Sequence, residues 1–151
     1  DPVNEYVLIG KGPLKKHLLQ RIDREKINVK YLGSMDRRSS LDLFCTMSIG
    51  IAPSTRNITR RVASPVKVYD YMSCGLPIIT ADCGQWARQV KENGCGFVAE
   101  ESTAVEFLEY AARLQDRGVW EETSAACKRA VKTKFNWNQV LAPLNSVMGK
   151  H

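Results

Sequence analysis

The chain has 151 residues, of which 44% are hydrophobic and 25% charged, a balance typical of a soluble domain that buries a core. No apolar stretch approaches the roughly 20 residues of a membrane-spanning helix, and the first residues lack the pattern of a signal peptide. The formal charge of +6 favours anionic partners, but aromatic residues are not interleaved with the basic ones, which argues against nucleic acid.

The cysteines indicate a reducing compartment. The chain has five, an odd number, with no C-x-x-C pair and no histidine nearby, so neither a disulfide framework nor a metal site is expected. Cys45 and Cys74 are expected to be small core residues, and Cys83 and Cys95 to lie at strand edges. We therefore predict a cytoplasmic protein without a zinc site; we also expect it to need no cofactor.

Strands and helices are predicted to alternate along the chain. The predicted strands are 5–10, 28–33, 48–53, 76–81 and 95–99. The predicted helices are 14–23, 38–47, 65–74, 85–92, 103–115, 119–134 and 137–148, and Thr103 and Glu106 can form a capping box. This order predicts an α/β fold: a doubly wound, Rossmann-like parallel sheet of about five strands flanked by helices, with an all-helical C-terminal tail. In such folds ligands bind at the carboxyl ends of the strands.

One short helix is predicted between a capping serine and a terminating glycine. Ser64 can cap it, Pro65 suits its first position because that N–H would be unpaired anyway, and Gly75 can adopt the left-handed conformation that ends it. The N–H groups at the start of such a helix attract anions. Lys67 lies in the first turn and Asp70 one turn later on the same side. The pattern indicates a receptor for phosphate and hydroxyl groups.

Five segments, taken in order, carry a family resemblance. They are 8–14 (LIGKGPL), 29–33 (VKYLG), 52–54 (APS), 65–79 (PVKVYDYMSCGLPII) and 94–98 (GCGFV). Together they resemble the C-terminal, donor-binding half of glycosyltransferases with the GT-B fold, of the group 1 (GT4) type. The resemblance covers nearly the whole chain.

The resemblance implies a retaining, metal-independent hexosyltransferase. Its C-terminal half binds a nucleotide-sugar such as a UDP- or GDP-sugar, and its N-terminal half binds the acceptor. The family's half begins with a strand that this sequence lacks, the innermost one in the order 3-2-1-4-5-6. We therefore interpret residues 1–151 as a single but incomplete Rossmann-like nucleotide-sugar-binding domain of a longer enzyme. On its own it is expected to be inactive.

The resemblance also implies site residues. The nucleotide-binding set is Gly33, Ser34, Met35, Ser54, Ser64, Pro65, Val66, Lys67 and Asp70. Within it, Lys67 would stabilise the diphosphate and the charge on the leaving group, and Asp70 would accept hydrogen bonds from ribose hydroxyls. Gly33, Ser34 and Met35 would lie beside the base, and Asp82 and Gln85 are candidates for contact with the donor sugar.

Val62 stands where the family's E-x7-E motif has its first glutamate. Valine cannot hydrogen-bond to the sugar, so either this carboxylate contact is absent or the sugar specificity is unusual.

Two other interpretations stay open. A GT-B relative that is not a transferase, such as a nucleotide-sugar epimerase, would bind the same donor. Alternatively, the chain is a non-catalytic α/β module whose basic loop, with Arg56, Arg60 and Arg61, binds anionic lipid or a protein partner. Peripheral association with the inner face of a membrane is compatible with each of these interpretations.

Overall fold

The computed structural model describes residues 4–54, 65–139, 141 and 143. In chain order the elements are β1 (Tyr6–Ile9), α1 (Lys15–Glu25), β2 (Val29–Gly33), α2 (Arg37–Phe44), β3 (Gly50–Ala52), α3 (Val66–Cys74), β4 (Ile78–Ala81), α4 (Gln85–Glu92), β5 (Gly96–Ala99), α5 (Ala104–Arg113) and α6 (Arg117–Thr133). The predicted α/β fold, with parallel strands flanked by helices, is confirmed.

The chain divides into two units, Asp1–Ser40 and Leu41–His151. In the first unit β1 and β2 pair in parallel, with Tyr6 opposite Val29. The Tyr31 hydroxyl donates a hydrogen bond of 2.6 Å to the Gly10 carbonyl. None of residues 4–40 is fully buried, and Leu14 retains 72% of its accessible surface. The first unit therefore leaves much of its apolar surface exposed.

The second unit is built on a parallel sheet in the order β3-β4-β5. Ile78 of the central strand lies opposite Gly50 on one side and Gly96 on the other. All four residues of β4 are buried, as expected for a parallel strand covered on both faces. Helices α3, α4 and α5 contact this strand.

The core of the second unit lies where α3, α4 and α6 meet the sheet. Val68 and Met72 of α3, Val90 of α4 and Cys127 of α6 are completely buried in one cluster. Burying a valine or methionine side chain contributes roughly 1.5–3 kcal/mol each. This cluster holds α3 in a fixed position.

Some expectations need correction. The five strands fall into two sheets, β1-β2 and β3-β4-β5, instead of one, which is the division expected when the innermost strand of the order 3-2-1-4-5-6 is lacking. α6 begins at Arg117, before the predicted Val119, because the Asp116 carboxylate caps it by accepting the Val119 N–H at 2.9 Å. The predicted helix 38–47 ends at Phe44. Helical structure is described at 137–139, while most of the predicted helix 137–148 lies outside the described residues.

The cysteine expectations are only partly right. Cys45 is exposed instead of buried, because it lies just beyond the end of α2, and Cys74 is half-buried. Cys83 and Cys95 are buried, as is Cys127.

Candidate functional site

Several predicted site residues share one edge of the sheet β3-β4-β5. Because the strands are parallel, Ser54, just beyond β3, and Asp82, directly after β4, lie at its carboxyl edge. The helix α3 connects β3 to β4 and runs back along the sheet, so it starts at this same edge. This edge is therefore the candidate site.

α3 begins one residue later than the sequence predicts. Pro65 has an extended conformation (φ −70°, ψ 117°), which makes it the residue before the helix instead of the first helical residue, and its side chain provides no cap. The Val68 N–H donates to the Pro65 carbonyl at 3.1 Å. A helix start without a side-chain cap is suited to an anion. The predicted cap, Ser64, lies outside the described residues.

The end of α3 is as predicted. Gly75 has φ 67°, and its N–H donates to the Met72 carbonyl at 3.0 Å. The next N–H, of Leu76, returns to the Tyr71 carbonyl at 2.9 Å. This left-handed glycine ends the helix and directs the chain into β4.

Two tyrosines fix how α3 is oriented. The Tyr69 hydroxyl donates to the side-chain oxygen of Gln89 at 2.7 Å, and its ring packs edge-on against Phe135 with centroids 5.4 Å apart. On the other side, the Tyr71 ring packs against Phe44 with centroids 4.9 Å apart. Val68 and Met72 are buried in the core, so three sets of contacts fix the position of α3: those of the core residues, of Tyr69 and of Tyr71.

Lys67 and Asp70 lie on the part of α3 that points away from the core. They are three residues apart and so are neighbours on the helix surface. Lys67 is exposed and Asp70 is half-buried. Burial, and secondarily the negative charge of Asp70, raises the pKa of Tyr71. Val66, the first residue of the helix, is 59% exposed. A cation and a carboxylate therefore lie beside the start of α3.

Ser54 carries a buried hydroxyl with no hydrogen-bond partner among the described residues. It follows β3 at the carboxyl edge. Buried hydroxyls nearly always have a partner, so one without is suited to bind an incoming group.

A buried hydrogen-bond network supports this edge of the sheet, and sequence reasoning did not single it out. The Trp86 indole N–H donates to the Thr80 hydroxyl at 3.2 Å, and that hydroxyl donates to the Ala52 carbonyl at 3.1 Å. The network joins the end of β3 to the first turn of α4. In the sequence, this network is indicated only by Thr80, the one residue with a hydroxyl group in the apolar strand β4.

The candidate sugar-contacting residues Asp82 and Gln85 are both exposed. The Asp82 N–H donates to the Ala99 carbonyl at 2.9 Å, which fixes the turn after β4. Gln85 is the first residue of α4, whose preceding residue Gly84 provides no side-chain cap. The structure brings both to the edge that carries Ser54, and sugar contact stays a prediction.

Gly33, Ser34 and Met35 belong to the first unit. Gly33 ends β2 with φ 72°, and its carbonyl accepts the Gly10 N–H at 2.7 Å. Ser34 is exposed and Met35 half-buried. Their role beside a base stays a prediction. Arg56, Arg60, Arg61 and Val62 lie outside the described residues.

Neither a membrane span nor a metal centre is found among the described residues. No helix there has the length and apolar character needed to cross a membrane. Within the same residues, no three His, Cys, Asp or Glu side chains are grouped so that they could hold a metal ion.

Sequence comparison matches a known family and one curated protein. The family described as "Glycosyl transferases group 1" matches residues 2–117. The chitobiosyldiphosphodolichol beta-mannosyltransferase of Debaryomyces hansenii is 28% identical over 75 residues, which are 49% of this chain and 16% of that protein.

Solved glycosyltransferase structures share the fold. Anabaena Alr3699/HepE, in complex with UDP and glucose, has a TM-score of 0.72 and 18% identity, covering 100% of this chain and 42% of that one. WaaG, involved in lipopolysaccharide biosynthesis, has a TM-score of 0.70 and 16% identity, covering 94% of this chain and 36% of that one. A Rickettsia africae glycosyltransferase has a TM-score of 0.67 and 14% identity, covering 95% and 39%. The chain thus spans less than half the length of each of these proteins.

Proposed function

The chain belongs to the group 1 glycosyl transferase family, and from this premise we propose that it is the donor-binding part of a glycosyltransferase. In this proposal α3 binds the diphosphate of a nucleotide-sugar at its N-terminus. The acceptor would be bound by another part of the enzyme, and the chain alone would not transfer sugar.

The observation that carries the proposal is the start of α3. Pro65, the residue before this helix, provides no side-chain cap, and Lys67 lies in its first turn. The helix dipole and a nearby ammonium group both stabilise negative charge. That charge grows on the diphosphate as the bond to the sugar breaks, so the same groups would also assist the leaving group.

Two further residues fit a nucleotide. The buried Ser54 hydroxyl, which has no partner among the described residues, can donate to a phosphate or sugar oxygen at the edge of the sheet. Asp70, one helical turn after Lys67, has the two acceptor oxygens that suit the vicinal hydroxyls of a ribose.

UDP is the first nucleotide to test, because HepE, which shares the fold, was crystallised in complex with UDP and glucose. GDP is the second. Retaining, metal-independent transfer of a hexosyl group belongs to the same proposal, as do a cytoplasmic location and peripheral contact with the inner face of a membrane.

Calorimetric titration of UDP and GDP tests nucleotide binding. We expect weak but saturable binding of at least one of them, lowered roughly tenfold to a hundredfold in both Lys67→Ala and Asp70→Ala, since a hydrogen bond to a charged group contributes about 1.5–3 kcal/mol.

The matched controls are Lys132→Ala, which removes an exposed cation from α6, and Asp42→Ala, which removes an exposed carboxylate from α2. Both should bind as the native chain does. The proposal would be contradicted if neither nucleotide binds, or if Lys67→Ala and Asp70→Ala bind UDP and GDP with the affinity of the native chain.

A further inference from the structure

Two cysteines lie close together where α2 and α3 end. Cys45 directly follows α2, and Cys74 is the last residue of α3. The Cys45 thiol is close enough to Cys74 to help raise the pKa of that thiol. The Leu41 carbonyl accepts both the Cys45 N–H at 3.0 Å and the Cys74 thiol at 3.6 Å. The two cysteines therefore share one acceptor, which places them side by side.

Aromatic packing holds the two helix ends together. Phe44, the residue before Cys45, packs against Tyr71, which lies three residues before Cys74, with ring centroids 4.9 Å apart at an angle of 77°. A β-carbon at Gly50 would lie 2.6 Å from the Tyr71 ring, so this ring also lies directly on β3. Contacts on two sides thus keep the thiols close.

The two thiols differ in access to solvent. Cys45 is exposed, whereas Cys74 is half-buried. Burial, and then the neighbouring Cys45, raises the pKa of Cys74 to about 11. Cys45 is therefore the thiol that meets a dissolved oxidant first, and Cys74 is placed to react with it second.

The chain contains a second thiol pair that serves as an internal comparison. Cys95 and Cys127 also lie side by side, because the Cys127 thiol donates to the Cys95 carbonyl at 3.4 Å. Both residues have 0% exposure. Like Cys45 and Cys74, these two cysteines lie side by side, but solvent does not reach them.

We propose that Cys45 and Cys74 form a reversible disulfide, driven by peroxide, which joins the end of α2 to the end of α3. The Cys45 thiolate attacks one oxygen of hydrogen peroxide, the O–O bond breaks, and hydroxide leaves and becomes water. The Cys74 thiolate then attacks the sulfenic acid sulfur of Cys45, the S–O bond breaks, and a second water forms. Two thiols lose two electrons, and one peroxide becomes two waters.

The bond would close the segment 45–74, which contains β3, Ser54 and all of α3. Closing a loop of this length restricts the unfolded chain more than the folded one. The modification needs no nucleotide, so it goes beyond the proposed function and can fail independently of it.

Peptide mapping of the native chain is the direct test. After treatment with equimolar hydrogen peroxide and trapping of free thiols, we expect one disulfide between the tryptic peptides 39–56 and 68–88, which fragment spectra assign to Cys74 and not Cys83. In the same digest, Cys95 and Cys127 should remain free thiols. The oxidised chain should melt about 5–10 °C higher than the reduced chain, and dithiothreitol should reverse the shift.

The variants Cys45→Ser and Cys74→Ser should lose the cross-link and the melting shift together. Mapping of the native chain does not depend on how either variant folds. The proposal would be overturned if Cys45 is oxidised to sulfinic acid while Cys74 stays free, if Cys45 links two chains, or if Cys95 and Cys127 react instead.

Discussion

The side-chain hydroxyl of Ser54 bears on both ligand binding and the stability of the fold. Its hydroxyl is buried, and no described residue offers it a partner. Burying an unpaired hydroxyl costs about 1–3 kcal/mol. Among the described residues nothing offsets this cost, whereas a ligand that accepts the proton of the hydroxyl would. The sequence marked Ser54 through family resemblance, but it could not reveal the missing partner, which depends on everything packed around the residue.

Ser54→Ala separates these two roles. We expect the free energy of unfolding, measured in urea, to stay unchanged or to rise by up to about 1 kcal/mol, because an unpaired polar group is removed. UDP affinity, measured by calorimetry, should fall several-fold. A loss of stability with unchanged affinity would show that the hydroxyl serves the fold.

At the scale of elements, β4 and β5 approach each other closely at one glycine. Gly96 has φ 148°, and a β-carbon there would collide with the Ile78 carbonyl. Gly96 starts β5 opposite Ile78, the first residue of the central strand. Pairing at this end of the sheet therefore requires a residue without a side chain.

Gly96→Ala should destabilise the second unit by about 2–4 kcal/mol, because it adds both backbone strain and a clash with another strand. Urea unfolding followed by circular dichroism measures the loss. Gly12→Ala is the control, because a β-carbon at Gly12 would have no atom within 4 Å. This substitution should change the free energy of unfolding by less than about 1 kcal/mol. Equal stability of the two variants would refute this account of the strand pair.

Local signals predicted elements well where the cause lay within a few residues. The capping box forms as expected, with the Thr103 hydroxyl accepting the Glu106 N–H at 3.3 Å and the Glu106 carboxylate accepting the Thr103 N–H at 3.0 Å. Gly75 ends α3 for an equally local reason. The sequence predicts that α3 begins at Pro65, whereas it begins at Val66. The prediction is wrong by one residue because proline suits both the position before a helix and its first turn.

At the scale of the whole molecule, the alternation of apolar strands and amphipathic helices predicted the fold class, since both patterns are set by side-chain period. Side-chain period does not predict the division into two sheets, but the innermost strand that the family resemblance implies to be lacking does. The exposure of Cys45 and its position beside Cys74 could not be predicted, because they depend on residues far apart in sequence. The role of the described residues at the carboxyl edge as a nucleotide site stays a prediction.

The central claim is that the start of α3 binds a nucleoside diphosphate. Titrating UDP into the ¹⁵N-labelled chain, with amide shifts followed by NMR, tests it most directly. We expect saturating shifts at Ser54 and at Val66, Lys67 and Val68, with much smaller shifts there for uridine, which lacks the phosphates. Shifts that are absent from these amides, or that instead follow the exposed basic residues Lys128 and Lys132 of α6, would contradict the claim.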